Sequence, residues 1–302
     1  MWILSNIPST WIGFSLTLLG GMLWGLSGTS VQFIHAYRHV DLQWLVTVRL
    51  LVAGLITLAW GVYKEPKQIK ELLRHPQDMK KTAIFSIFGI SMCQYAYFRA
   101  IGAAGVGIAT VIQYLGPTLI IIYLLIRYRA IPRRSETISV ILAFLGTLSI
   151  VFHNGFTLVA LNLSVVLWGL LSAVGISVYS VQPISILQRY GTSTIMGMAM
   201  LIGSLAAYLL FRPTGPGGEW DIMTYLAVWG GIVGLGTIVS FNAYMEGIRR
   251  IGPVKGSILS SVEPISAALL GWWLLGNTFT ILDMVGFVCI LSTVFILAIV
   301  NQ

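Results

Sequence analysis

Glu263 is the residue in this chain whose type and position most readily suggest chemistry. It is the single charge in the twenty-residue stretch from Ser257 to Gly276. Counted from Val254 at ~1.5 Å per residue, it lies about 14 Å along a helix, near the midplane of hydrocarbon roughly 30 Å thick. A carboxylate at that depth must face protein or water. We interpret Glu263 as a proton- or cation-binding group; the alternative is a neutral acid that ties two helices together.

Two prolines lie inside predicted membrane helices. Pro264 follows Glu263 directly, and Pro117 occupies the middle of an earlier apolar stretch. Proline lacks an N–H and crowds the carbonyl four residues before it, which here belongs to Ser260 and Gln113. We therefore predict hinges at Pro117 and Pro264, each with a freed backbone carbonyl that lines a polar site, because broken helices are tolerated at membrane depth only there.

Arg49 is the second charge that falls within a predicted span. It lies about six residues, or roughly 9 Å, from one end of that span. Its guanidinium could bind a substrate carboxylate or pair with Glu263. Alternatively, its long side chain reaches the membrane interface or bonds helix-end carbonyls.

Uncharged polar and aromatic residues complete the candidate site. Trp168, Ser172, Gly175, Tyr179 and Gln182 are spaced for one helical face, which could line a cavity or pack against a neighbouring helix. Other polar residues recur in the third and eighth spans with the same two interpretations. The predicted cavity-lining residues are Trp24, Arg49, Gln94, Tyr97, Gln113, Trp168, Ser172, Tyr179, Asn242, Tyr244 and Ser260.

The composition indicates an integral membrane protein. Charged residues are 9% of the chain and hydrophobic residues 57%, whereas a soluble domain carries about 25% charged residues. The basic residues lie in loops between apolar segments, so the net charge of +8 does not indicate nucleic-acid binding. The two cysteines lie in apolar segments and the histidines are scattered, so we expect no disulfide, no metal and no cofactor.

We predict an all-α integral membrane fold with ten transmembrane helices. The predicted spans are 12–34, 42–62, 82–101, 106–126, 137–153, 158–181, 193–211, 224–247, 254–275 and 280–300. Most lysines and arginines fall in the loops after the even-numbered spans, which places both termini in the cytoplasm of an inner (plasma) membrane protein. A tight link of small residues, 102–105, joins the third and fourth spans.

The two halves of the chain are related by an internal repeat. At an offset of 147 residues, Tyr97 matches Tyr244 and Pro117 matches Pro264. At an offset of 144 residues, a Leu-Trp-Gly-Leu sequence around Trp24 recurs around Trp168. Five spans in each half reverse the orientation of the second half. We therefore predict a 5+5 inverted-topology repeat with units 12–153 and 158–300, a common transporter design.

These motifs resemble the EamA-type transporters of the drug/metabolite transporter superfamily. The resemblance rests on Leu23-Trp24-Gly25 and Leu167-Trp168-Gly169, on Val48-Arg49-Leu50, and on Ser260 to Gly276, and it covers nearly the whole chain. It implies a ten-helix carrier of amino acids, other metabolites or drugs. One feature frequent in the family is missing, because Asn277 stands where a glutamate often follows Gly276. The first half has Gly116 before Pro117 where the second half has Glu263 before Pro264. The first span also lacks the acid that small multidrug antiporters of the same superfamily use.

Three classes of function compete. An integral-membrane enzyme is disfavoured because the sequence has no HExxH or GxSxG motif, and a channel because it has no TVGYG-type filter. We predict a secondary transporter that works by alternating access and functions as a monomer. It exports or exchanges small amphipathic metabolites, among which amino acids are the leading substrate class. A multidrug or quaternary-amine exporter is the alternative.

Overall fold

The computed structural model describes residues 9–151, 163–276 and 278–299; the side chains of residues 36, 101–108 and 275 are not described. The described residues form helices and connecting turns and contain no strand. In order, the helices are α1 (Ser9–Arg38), α2 (Leu42–Lys64), α3 (Pro66–Arg74), α4 (Pro76–Ile84), α5 (Met92–Gln113), α6 (Gly116–Tyr128), α7 (Arg134–Val151), α8 (Leu163–Val181), α9 (Ile184–Tyr190), α10 (Thr192–Phe211), α11 (Ile222–Tyr225), α12 (Ser240–Ile251), α13 (Pro253–Leu259), α14 (Val262–Leu275) and α15 (Ile281–Ile299). Two π-helical segments, Phe85–Ser91 and Leu226–Val239, lead into α5 and α12.

Eight helical stretches are long and apolar enough to cross a membrane, judged by length and composition within the described residues. Two of the ten predicted spans, 82–101 and 254–275, have no counterpart in these eight stretches. The first of these runs through a π-helical segment, and the second is divided between α13 and α14. The ends of the fifth, sixth and tenth predicted spans, and Asn277, fall outside the described residues.

The two membrane prolines begin new helices. Pro264 lies in the first turn of α14 and Pro117 in the first turn of α6. First-turn N–H groups have no partner within their own helix, so the missing proline N–H removes no hydrogen bond there. The expected free carbonyl at Ser260 is therefore wrong: it accepts the Glu263 N–H at 3.0 Å and the Tyr114 hydroxyl at 3.4 Å.

The two ends of the segment assigned to α5 lie side by side. The Tyr97 hydroxyl lies 2.7 Å from Thr110 Oγ1, and Gln113 Nε2 donates to Cys93 Sγ at 3.6 Å. In a straight helix, thirteen residues would separate the Tyr97 and Thr110 α-carbons by about 20 Å. The chain therefore reverses between these two residues, where the sequence predicts the tight link 102–105.

The helices pack in a pattern that repeats between the halves. Helix α1 contacts Leu226–Val239, α12 and α14, whereas α8 contacts Phe85–Ser91, α5 and α6. Helix α2 packs along α10, and α7 packs along α15. Each element that contacts α1 therefore has a counterpart that contacts α8, and the two helix breaks, at 114–115 and 260–261, lie in corresponding places.

Close backbone contact holds α7 against α15. A Cβ built on Gly146 would lie 2.9 Å from the Gly286 carbonyl oxygen, and one built on Gly286 would lie 2.7 Å from the Gly146 carbonyl oxygen. Real Cβ atoms do not approach backbone that closely. These reciprocal contacts show how small residues let membrane helices approach, where packing rather than the hydrophobic effect drives association.

Candidate functional site

A cavity of about 130 Å³ lies between the two helix breaks. It is lined by α1, α2, α5, α6, α8, α12, α13 and α14, by Gly236 of the second π-helical segment, and by residues at both breaks. Most of the predicted site residues line it: Trp24, Arg49, Gln94, Tyr97, Gln113, Pro117, Tyr179, Ser260 and Glu263. The tertiary structure thus brings residues from both halves of the sequence around one small space.

Glu263 lies in the first turn of α14, beside the break at 260–261. Its carboxylate accepts a hydrogen bond from the Tyr114 hydroxyl at 3.1 Å, and the same hydroxyl lies 3.4 Å from the Ser260 carbonyl oxygen. Tyr114 is itself part of the other break, between α5 and α6. The positive end of the α14 dipole also favours a negative charge there. One tyrosine therefore joins the two broken helices at the acid.

Arg49 and Trp24 line the cavity, and each carries a buried donor without a partner among the described residues. Arg49 is 6% exposed, and both its Nε and the Trp24 Nε1 are buried without a hydrogen-bond partner among the described residues. Arg49 forms no ion pair with Glu263 or with another carboxylate in the described part of the chain. Because buried donors are normally satisfied, the pair is suited to an acceptor supplied by a ligand.

Aromatic side chains close one side of the cavity. The Trp24 ring lies 5.0 Å from Phe241 and 4.8 Å from Tyr244, measured between ring centroids. Tyr179 contacts both Phe241 and Tyr244, and the Tyr244 hydroxyl lies 3.0 Å from Ser180 Oγ. These contacts connect α1, α8 and α12. Tyr244 is 1% exposed and supports this aromatic wall from behind.

The comparisons with known proteins agree with this architecture. The EamA-like transporter family model matches residues 11–152 and again residues 163–299. This chain belongs to the EamA-like transporter family. It is therefore a membrane transporter and not an enzyme.

Relatives of this EamA-like transporter include the uncharacterized inner membrane transporter YicL of Salmonella typhimurium, which is 31% identical over 297 residues, 96% of each chain. An uncharacterized transporter of Archaeoglobus fulgidus is 25% identical over 291 residues, 95% of this chain and 97% of the relative. A solved crystal structure superposes with a TM-score of 0.74 at 20% identity, covering 97% of this chain and 96% of the other. That structural likeness shows the fold alone, and together the relatives indicate a multi-pass inner membrane protein.

Five predicted site residues of the EamA-like transporter lie outside the cavity lining, and one of them is Tyr244, behind the aromatic wall. Ser172 packs behind it, where Gln113 Nε2 donates to Ser172 Oγ at 2.7 Å. The Trp168 ring stands edge-on to Tyr95, with the Arg99 guanidinium 5.5 Å from its centroid. Asn242 faces a separate groove on the other side of α12. Pro264 is buried next to Glu263 without lining the cavity.

Sequence reasoning missed several residues of this EamA-like transporter that line the cavity. Tyr114 is the most important, because it contacts Glu263. Its position between Gln113 and Pro117 could have identified it. It was missed because a tyrosine in such a hydrophobic stretch is counted as an apolar residue. The other missed lining residues are Ser27, Gly28, Val31, Cys93, Phe98, Ile176, Gly236, Phe241 and Ser257.

An aspartate–arginine pair lies at each end of the helix bundle. Asp78 is buried and accepts hydrogen bonds from Lys81 at 3.0 Å, Arg189 at 2.9 Å and Tyr190 at 2.8 Å. The Lys81 and Tyr190 hydrogen bonds lower the pKa of Asp78 below its usual value. At the opposite end, Asp221 accepts the Arg38 guanidinium at 2.7 Å. Its pKa is also lowered, first by the Thr224 hydrogen bonds and then by Arg38.

Proposed function

We propose that this protein is a secondary transporter that moves small amphipathic metabolites, amino acids first among them, by alternating access. The observation that supports this most strongly is the cavity itself. It places the unpartnered Nε of the buried Arg49 guanidinium and the unpartnered Trp24 indole N–H on residues that line the same small space as a carboxylate. The sequence carries no recognisable nucleotide-binding motif, and we propose that an ion or substrate gradient supplies the energy.

The chemistry of the cavity favours a substrate with two opposite charges. The unpartnered donors of Arg49 and Trp24 suit a carboxylate, with the geometric specificity of a guanidinium fork. Glu263 suits an ammonium group or a coupling proton. A quaternary amine without a carboxylate would leave Arg49 buried and unpaired, so this alternative is disfavoured.

The cavity volume accommodates small substrates. About 130 Å³ is roughly tenfold the 10–15 Å³ that a single water molecule needs. A small amino acid such as alanine or serine therefore fits without movement of the aromatic wall around Trp24.

The ten-span, 5+5 inverted arrangement with units 12–153 and 158–300 is part of the same proposal. The matching contacts of α1 and α8, the paired breaks and the reversal within α5 support it. We further propose that both termini are cytoplasmic, because the basic loops follow the even-numbered spans, that export or exchange is the direction, and that the monomer is the working unit in the bilayer.

Counterflow in proteoliposomes tests the proposal. Vesicles preloaded with unlabelled alanine should accumulate labelled alanine transiently and saturably, and the corresponding amine without a carboxylate should not compete. Tetramethylammonium is the matched probe for the quaternary-amine alternative. Counterflow with tetramethylammonium and none with any amino acid would overturn the proposed substrate class.

A further inference from the structure

A second, larger space of about 820 Å³ lies apart from the central cavity, between α1, α2, α10 and α12. One wall of this groove is apolar and faces the outside of the bundle, where Ile56 is 50% and Trp60 57% exposed. From Ile56 to Lys64 the wall extends about 12 Å, and from Val239 to Arg250 about 16 Å. Half of a roughly 30 Å hydrocarbon layer is about 15 Å, so the groove has the length of one leaflet.

The polar end of this groove carries an excess of positive charge. Lys64, Arg249 and Arg250 line it together with Glu65 and Glu246. Glu246 is already saturated: Arg249 donates to it at 2.7 and 2.6 Å, Arg250 at 2.8 Å and the hydroxyl of Thr192 at 2.7 Å. Three basic and two acidic side chains line this end, which leaves one net positive charge for an anion from outside the chain.

The first turn of α10 borders the same polar end. Gly191, which begins this twenty-residue helix, supplies no side-chain cap, and Thr192, Ser193 and Thr194 line the groove. The first backbone N–H groups of a helix and its positive dipole end attract anions. The N-terminus of α10 and the basic side chains therefore meet at the polar end of the groove, next to its apolar wall, which we call the apolar lane.

We propose that this groove binds an anionic phospholipid of the adjacent leaflet. The phosphate lies between the α10 N-terminus and the Lys64 and Arg250 side chains, and one acyl chain lies against Ile56, Trp60 and Val239. The combination of an apolar lane one leaflet long with a cationic end distinguishes this occupant from a free phosphate, which would not need the lane, and from a neutral lipid, which would not need the cations. This proposal is independent of the identity of the transported substrate.

Native mass spectrometry of the full-length protein tests the proposal with dioleoyl phosphatidylglycerol as the probe. The wild type should retain it in preference to dioleoyl phosphatidylcholine. Lys64→Gln and Arg250→Gln should each weaken retention of the anionic lipid about fivefold, and the double variant about 25-fold, because each basic residue near a membrane surface contributes a similar increment. Lys70→Gln, an exposed basic residue outside the groove, is the matched control and should change nothing.

The wild-type protein provides a second arm that does not depend on any variant. Dihexanoyl phosphatidylglycerol should bind more weakly than the dioleoyl lipid, because its short chain leaves most of the lane uncovered. Four results would each overturn the proposal. They are equal binding of the dihexanoyl and dioleoyl lipids, complete displacement of the dioleoyl lipid by inorganic phosphate, its displacement by alanine, and a loss of retention in Lys70→Gln equal to that in Lys64→Gln or Arg250→Gln.

Discussion

Replacement of Arg49 by methionine separates the two interpretations of this residue. Arg49 is 6% exposed, with its Nε unpartnered and no ion pair to any described carboxylate. The effective penalty for burying an ion is several kcal/mol unless partners compensate for it. Methionine fills a similar elongated space without charge. If Arg49 serves the substrate, Arg49→Met should leave the empty transporter as stable as the wild type or more stable.

The same substitution should remove a large part of substrate affinity. A hydrogen bond to a charged group contributes about 1.5–3 kcal/mol, which corresponds to roughly a 10- to 150-fold weaker apparent affinity for an alanine substrate. Arg49→Lys keeps the charge but loses the planar fork, so we expect an intermediate loss.

Two measurements on purified protein check this prediction. A thiol-reactive dye reports the apparent unfolding temperature through exposure of buried Cys93, at one fixed heating rate because membrane proteins often unfold irreversibly. Counterflow in proteoliposomes reports the apparent affinity. A drop in unfolding temperature with unchanged alanine affinity in Arg49→Met would refute the reasoning and identify Arg49 as a structural residue.

Four other substitutions test separate parts of the structure. Glu263→Gln keeps the shape of the side chain but not its titration, so the fold should survive and the pH dependence of counterflow should flatten. Asp78→Asn should lower the unfolding temperature at pH 7; because the folded-state pKa is depressed, its contribution is present above about pH 4 and lost on further acidification, where variant and wild type should converge. Gly28→Ala adds a methyl group that meets nothing within 4 Å at the cavity wall, so it should fold normally and select against larger substrates. Gly175→Ala should destabilise, because its Cβ would lie 2.7 Å from Cys93 Cβ and 2.8 Å from Cys93 Cα.

Each of these predictions has a result that would contradict it. An unchanged pH profile in Glu263→Gln would remove the proposed coupling role. Glu71→Gln, an exposed acid 3.3 Å from Arg189, should leave stability nearly unchanged, and an effect as large as that of Asp78→Asn would contradict the role of burial. Equal unfolding temperatures for Gly28→Ala and Gly175→Ala would show that the helix contacts are looser than the structure indicates.

The aromatic wall and the two spaces show why the sequence could not predict which side of each helix faces the cavity. The third and eighth spans contain Gln94, Tyr97, Asn242 and Tyr244, which sequence reasoning treated alike. The structure places Gln94 and Tyr97 in the cavity, Tyr244 behind its wall and Asn242 in the separate groove. Helices that are apolar on nearly every side carry little periodic signal, so only their neighbours decide which side faces the cavity.

Sequence alone determined the membrane class, the approximate limits of most spans, the two breaks and the choice of Arg49 and Glu263 as candidate site residues. It could do so because charge in hydrocarbon and proline in a helix are each costly, so each occurrence carries information. Only the tertiary structure decided that Tyr114 hydrogen-bonds Glu263 and that the prolines begin helices. These facts arise from contacts between residues far apart in the chain, where the geometry of packing and not the local composition determines which atoms meet.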